Sequence, residues 1–472
     1  MMICLAITIL LGGAEASPAQ ERNAVRQLAR DIFKQLIEID TTDTSRGNVT
    51  TAAEAMAKRL RDAGFPEKDI IVDGPNERKK NMVARIHGTG KRKPVLFIGH
   101  LDVVEARRED WTTDPFQFIE KDGYYYGRGT TDMKNGDAIL MANFIRLKRE
   151  GYQPDRDLIL ALTADEEGGD WNGVDWLVKK HRDWIESDYC INLDGGDFTS
   201  DKDKKLFGAV QAAEKVYVDI ALETRNPGGH SSRPTRDNAI YHLAEGLARL
   251  AQHSFPAELN EITRAVLEKG AALRTGQEAA DMKAAAKTPP DAEVIARLSE
   301  NATYNALLRT TCVATMIEGG HARNALPQRA RANVNCRMLP GTDPRQVLET
   351  IERVVADPQI RVSFVEQKDA DGKVVMPVSV PPSPLRPDLM AAIEKTTHSF
   401  WPGLPIVPEM STGASDGKFL RMNGIPTYGI SAVFLDLNEH RAHGQDERVP
   451  VESFHDAVEF NYRLLKEISS SN

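Results

Sequence analysis

The sequence predicts an α/β protein: a mostly parallel sheet flanked by helices, with a smaller ferredoxin-like α+β domain inserted into it. Three observations predict this. From about residue 80 to 194, apolar β-rich runs alternate with helical stretches, the pattern of a parallel sheet covered by helices. Near 212 the character changes: VYVDIALE at 216–223 alternates apolar and polar residues, so one side of that strand faces solvent. The chain has 472 residues, a length that suits two domains.

Taken in order, residues 3–12 are apolar and lead into Ala14-Glu15-Ala16, a small-residue cleavage pattern. Residues 1–19 therefore read as a signal peptide, and the protein as exported, periplasmic or secreted; uncleaved, it would be cytoplasmic. The run is too short to span a bilayer as a helix, so stable membrane insertion is not expected. Residues 23–64 read as helical, with a break at Gly47-Asn48. Strands follow at 82–88 and 94–104, then a hairpin around Asp122-Gly123. A helix at 135–151, a strand at 156–167, a helix at 172–186 and a strand at 189–194 complete the alternation.

The block 212–368 reads strand, helix, strand, strand, helix, strand, which is the split βαβ order. Its elements fall at 216–223, 238–253, 312–319, 331–339, 344–356 and 360–366. An Ala-, Glu- and Lys-rich stretch at 256–310, with a Pro-Pro turn at 289–290, reads as a helical insertion after the first helix. The main domain is then discontinuous, 20–211 and 369–472, re-entered through the Pro-rich segment 375–387.

The composition, 41% hydrophobic and 27% charged, is that of a globular protein with ample core. The formal charge of −9 argues against nucleic acid or an anionic membrane as partner. Cys190, Cys312 and Cys336 follow the leader. An odd, scattered set in apolar runs predicts buried free thiols rather than a disulfide framework.

Five short segments carry the chemistry: GHLDVV (99–104), GRGTTDMKNG (127–136), TADEEGG (163–169), INLDGG (191–196) and AHGQDERV (442–449). Each places His, Asp or Glu at the end of an apolar run, where an open α/β sheet gathers its ligands. Imidazoles and carboxylates brought together suit a pair of zinc-like ions. His100 and Asp102, two apart at a strand end, point to the same side, and Asp102 is either a ligand or the partner of the His100 ring. Asp132 follows a glycine turn. Glu166 and Glu167 would repel in a buried cleft without a cation or proton between them. Asp194 ends a further strand, and His440 and His443 share one late loop.

This set resembles the co-catalytic zinc peptidase family that includes aminoacylase, acetylornithine deacetylase, succinyl-diaminopimelate desuccinylase, glutamate carboxypeptidase and carnosinase. The resemblance covers nearly the whole mature chain and implies a zinc-peptidase-like catalytic domain with an inserted lid, the family's dimerisation domain. It implies two divalent metal ions per chain, Zn2+ with Co2+ or Mn2+ as substitutes, sharing Asp132. His100 and Asp194 would complete one site, and Glu167 and His443 the other. His443 is preferred because HGxxE (443–447) is the family pattern. Glu166 matches the general base and Asp102 the carboxylate that orients His100. In the lid, His230 resembles the oxyanion-holding histidine, while Asn324 and Arg337 resemble groups that bind the substrate carboxylate. Gly413 and Ser415 lie in the family's Gly-Ser-Asp segment. Asp at 194, where many members carry Glu, looks more like the dipeptidase, aminopeptidase and vacuolar carboxypeptidase-like members than the glutamate carboxypeptidase-like ones.

The expected activity is therefore hydrolysis of an amide in small peptides or N-acyl amino acids, by an exopeptidase, dipeptidase or deacylase. The alternatives are an N-acyl amino acid synthase and a non-catalytic binding relative. GASDG (413–417) also fits a serine-nucleophile pattern, but no strong strand leads into it and it would leave the five segments unexplained.

Overall fold

The computed structural model describes residues 18–287, 289–368 and 373–470. The leader expected over 1–19 lies outside them except for its last two residues, which open the helix Pro18–Ile37. The strands relevant to function are β1 (Ile70–Asp73), β2 (Asn81–Ile86), β3 (Val95–His100), β4 (Leu158–Thr163), β5 (Tyr189–Asn192), β6 (Phe198–Asp201) and β7 (Lys204–Glu214). Then come β8 (Val216–Arg225), β9 (Thr311–Gly319), β10 (Arg329–Met338), β11 (Ile360–Phe364), β12 (Ile406–Ser411), β13 (Thr427–Gly429) and β14 (Phe434–Asp436).

Among the described residues, a ten-stranded sheet runs β1-β2-β4-β3-β5-β13-β7-β6-β14, with β12 also paired to β7. Its centre, β4-β3-β5-β13, is parallel. The flanks are mixed: β1–β2, β2–β4, β13–β7 and β6–β7 are antiparallel. The sheet is thus parallel only where helices provide crossovers. Short connections such as Lys202-Asp203 permit only antiparallel return.

Every residue of β3, β4 and β5 is buried, as expected of strands covered on both faces. Side chains alternate between those faces. Val95 and Phe97 join a core with helices 18–37, 49–62, 134–149 and 451–469, while Leu96 and Ile98 pack with Val174, Leu177 and Leu420.

The second sheet is antiparallel, ordered β9-β10-β8-β11. Helices Ala239–Ala251 and Pro344–Val355 supply its own hydrophobic cluster, including Leu243, Val347 and Ile351. The helical stretch behaves otherwise than expected. Its helices, Glu261–Ala271, Gly276–Ala285, Ala292–Leu298 and Ala302–Leu308, pack into the core of the main sheet, where Ile262, Leu267 and Leu307 share a cluster with Ile406 and Met410. The insertion is continuous in sequence with the second sheet but belongs by packing to the first.

One expectation is overturned. Cys312 and Cys336 are not free thiols: they form a disulfide, with Cα atoms 4.1 Å apart. They face each other in the register of β9 and β10. Twenty-four residues separate them in the chain, and only strand pairing brings them together. Cys190 is free and buried. Among the described residues no helix is long and apolar enough to cross a membrane.

Candidate metal centre

The parallel centre of the sheet aligns the carboxyl ends of β4, β3 and β5, the position where such sheets bind ligands. His100 is the last residue of β3. Glu166 and Glu167 follow β4, and Asp194 follows β5. Two further segments arrive by a different route. The hairpin Ile119–Lys121/Tyr124–Tyr126 turns at Asp122 and Gly123, both at positive φ, and pairs with Arg448–Pro450. That pairing lays the 443–447 loop along the Gly127–Asp132 turn.

Among the described residues two groups of potential ligands form, and Asp132 belongs to both: His100–Asp132–Asp194 and Asp132–Glu167–His443. In each, the donor atoms lie within 4.8 Å of one another. Asp132 Oδ1 is 3.2 Å from His100 Nε2, and its Oδ2 is 3.0 Å from His443 Nε2. Glu167 reaches the same His443 nitrogen at 3.0 Å. Glu166 stands in neither group. His440, the other candidate of the late loop, also stands in neither.

The charge balance of the protein atoms calls for cations. Burial opposes a charge on His100, but the hydrogen bond to Asp132 and the charges of Asp102, Asp194 and Glu166 hold its pKa well above the ordinary imidazole value. Hydrogen bonds to Asp132 and Glu167 push His443 up to about 10. Burial, reinforced by Asp416 and Glu167 among others, raises Glu166 and Asp194 well above the carboxylate range. Protons thus stabilise a nest of four carboxylates where divalent ions would do so more fully. Mixed N/O donors with one shared carboxylate fit a metal pair.

Three buried acids position this set. Asp102 was expected to orient His100 through its carboxylate, but the His100 Nδ1–H reaches the Asp102 backbone carbonyl at 3.1 Å, with the carboxylate 3.7 Å away. The carboxylate instead accepts the backbone N–H groups of Glu166 and Glu167, at 3.1 and 3.0 Å. Asp102 is therefore a positioning residue for both glutamates. Glu447, fully buried, accepts from the backbone N–H groups of Gly129, Thr131 and Asp132 and from Arg128. It moulds the Asp132 turn, and its signal was the last letter of HGxxE. Asp416 accepts from Thr163 and Asn172, which flank the Glu166–Glu167 turn, and burial lifts it to about 6.

Ser415, expected in the substrate-binding segment, points inward. It is buried, and its hydroxyl donates to Glu214 at 2.8 Å, which in turn pairs with Arg421. The serine-nucleophile alternative fails for the same reason. Gly413, half-buried, donates its N–H to Ser411 in the loop after β12.

The residues expected from the inserted block lie apart. Arg337 pairs in register with Tyr217, stacks 4.7 Å over its ring, and sits where β8 leaves the main body next to the Ser411 loop. His230 and Asn324 lie side by side beyond the other end of β8, where His230 pairs with Ala325; both are exposed. The strand between Tyr217 and Arg225 spans roughly 25 Å. One chain therefore does not bring His230 and Arg337 to one small substrate. The Ser232 backbone N–H donates to His230 Nδ1 at 3.2 Å, and the Ser232 hydroxyl lies 2.8 Å from the same nitrogen.

Residues 96–467 match the model of Peptidase family M20/M25/M40. The chain is 26% identical over 469 residues to the N-fatty-acyl-amino acid synthase/hydrolase of Homo sapiens, covering 96% of this chain and 90% of the relative. Its fold is similar to that of an M20 family metallo-carboxypeptidase of Sulfolobus solfataricus, with a TM-score of 0.68 at 16% identity over 93% of this chain and 98% of the other. It is likewise similar to human carnosine dipeptidase 1, with a TM-score of 0.65 at 15% identity over 95% and 97%. With the family model spanning most of the chain and all five acidic and histidine segments, the protein belongs to peptidase family M20/M25/M40 and is a hydrolytic enzyme.

Proposed function

We propose that this enzyme hydrolyses the amide bond of an N-acyl amino acid or a small peptide at a pair of divalent metal ions. The observation that carries the reading is Asp132, shared by two ligand groups, with Glu166 in neither but near enough to feel the charges of His100, Asp194 and Glu167. His100 and Asp194 would hold one ion, Glu167 and His443 the other. Zinc suits these N and O donors, and cobalt or manganese would substitute. Two ions held there supply an acidified water and polarise the scissile carbonyl.

The protein's own part is proton handling and placement. Glu166, fixed through its backbone by Asp102, takes a proton from the attacking water and delivers it to the leaving amine. Arg337 offers a guanidinium to the substrate carboxylate. The name of the human relative favours a second reading, in which the same residues run the reaction towards synthesis. Product analysis with a fatty acid plus an amino acid separates the two.

A second copy would complete the site. The outer strand β9 exposes Val313 (61%), Met316 (72%) and Ile317 (67%), beside Ile240 and Tyr241 of the adjacent helix. An apolar strand at a sheet edge is a ready template for pairing with its twin. Export is part of this reading: the Cys312–Cys336 disulfide suits an oxidising compartment, and a mature N-terminus near residues 17–20 by mass spectrometry would agree. The test of the metal reading is chelation. Activity on dipeptides or N-acyl amino acids should vanish and return with zinc, cobalt or manganese, near two ions per chain. Full activity after complete chelation would refute it.

A further inference from the structure

A cavity of about 520 Å3 lies between the helical insertion and the far side of the main sheet. We propose that it is the acyl-chain site of this enzyme, taking a linear aliphatic acyl group whose carbonyl sits at the metal centre. The proposal rests on the amide-hydrolase reading and names the substrate class of that site.

Position comes first. One end of the cavity is walled by Gly195 and Gly196, which directly follow Asp194, and by His440, three residues before His443. Neither glycine accepts a side chain. A Cβ on Gly196 would meet the Gly429 carbonyl at 2.0 Å, and one on Gly195 would meet Gln211 at 2.4 Å. Bare backbone therefore lines the end next to the metal ligands.

The wall chemistry comes second. Val266, Leu273, Met282 and Leu307 of the insertion face Phe207 and Met410 of the main sheet. These residues show why the insertion packs against the sheet: it roofs an apolar space that β7 and β12 alone would leave open. The volume falls within the roughly 300–1,000 Å3 of pockets that enclose most of a small ligand. Four acids line the space: Asp436 accepts the backbone N–H groups of Lys202 and Asn438, Glu439 pairs with Arg448, Asp197 accepts from Ser431, and burial, with Asp197 nearby, pushes Glu409 up to about 7, so near neutrality about half of it is uncharged. The site thus divides the substrate, with the carboxylate towards Arg337, the amide at the ions and the chain under the insertion.

The test is a chain-length series on the zinc-loaded protein: N-acetyl-, N-butyryl-, N-octanoyl-, N-dodecanoyl- and N-hexadecanoyl-phenylalanine. While the chain enters, kcat/KM should rise about fourfold per added methylene, then level off at the cavity's end. Val266→Trp, or Leu273→Trp should the first fail to fold, should move the optimum to shorter chains. The ratio of dodecanoyl to acetyl kcat/KM should fall with it. Calorimetric binding of the acetyl and dodecanoyl compounds to the Glu166→Gln protein gives a readout independent of turnover. A flat or falling dependence on length, or a preference for dipeptides with a free α-ammonium that Glu409 would recognise, overturns the proposal and leaves the hydrolase reading intact. Length-dependent binding with no hydrolysis of any amide supports the site and refutes the hydrolase reading.

Discussion

Glu166 and Glu167 are neighbours with opposite fates. Their backbone N–H groups bind the two oxygens of one carboxylate, Asp102. The turn they occupy then sends Glu167 to His443 and leaves Glu166 outside both ligand groups. Glu166→Gln should keep close to two ions while kcat falls by about two to four orders of magnitude. Glu167→Gln should lose metal as well. Metal analysis beside kinetics checks this, and swapped behaviour would reverse the assignment. Asp102→Ala removes both acceptors without touching a ligand atom. Metal affinity, read by competition with a chelator, should weaken by about 10–100-fold, the usual effect of a group that orients ligands. An unchanged affinity would leave Asp102 with no positioning role.

At the scale of elements, the site depends on how the C-terminal segment docks. The strand Arg448–Pro450 pairs with Tyr124–Tyr126, and the helix Val451–Ser469 begins directly after it. In that helix His455 is buried, with Nε2 3.1 Å from the Tyr125 hydroxyl and no partner on Nδ1. Burial, aided by Arg26 and Arg30 against Glu452 and Glu120, pushes it down to about 4. The unfolded chain binds a proton near pH 6.5 that the folded chain refuses until about pH 4. Stability from this group is therefore full above about pH 6.5 and declines as pH falls to about 4, by up to roughly 3 kcal/mol. In chelated protein, where metal release does not intervene, His455→Gln should flatten the melting temperature across that window. An equal slope in wild type and variant would show that other groups set the acid response.

At the scale of the molecule, the inserted block poses the open geometric question, because its three candidate residues divide between opposite ends of β8, His230 and Asn324 at one and Arg337 at the other. If Arg337 serves the metal centre of its own chain, His230 must serve another. Glu166→Gln and His230→Ala proteins should each be nearly inactive alone and regain activity when mixed, since a mixed pair contains one intact site. No recovery after verified subunit exchange would place His230 outside the reaction. Met316→Asp on the exposed strand should shift the sedimentation profile towards monomer.

The sequence by itself determined the ligand types and the sheet that carries them. His100, Glu166, Glu167 and Asp194 follow apolar runs, and strands buried on both faces read as such runs whatever packs on them. The split βαβ order was legible for the same local reason. What the tertiary structure decided depends on partners distant in the chain. The disulfide needs the register of β9 against β10. The role of Glu447 needs a hairpin more than 300 residues upstream. Ser415 turns inward because Glu214 and Arg421 lie beneath it. The insertion reads as helix from composition alone, but which surface it roofs depends on where apolar area remains uncovered, and that is settled only once both sheets have formed.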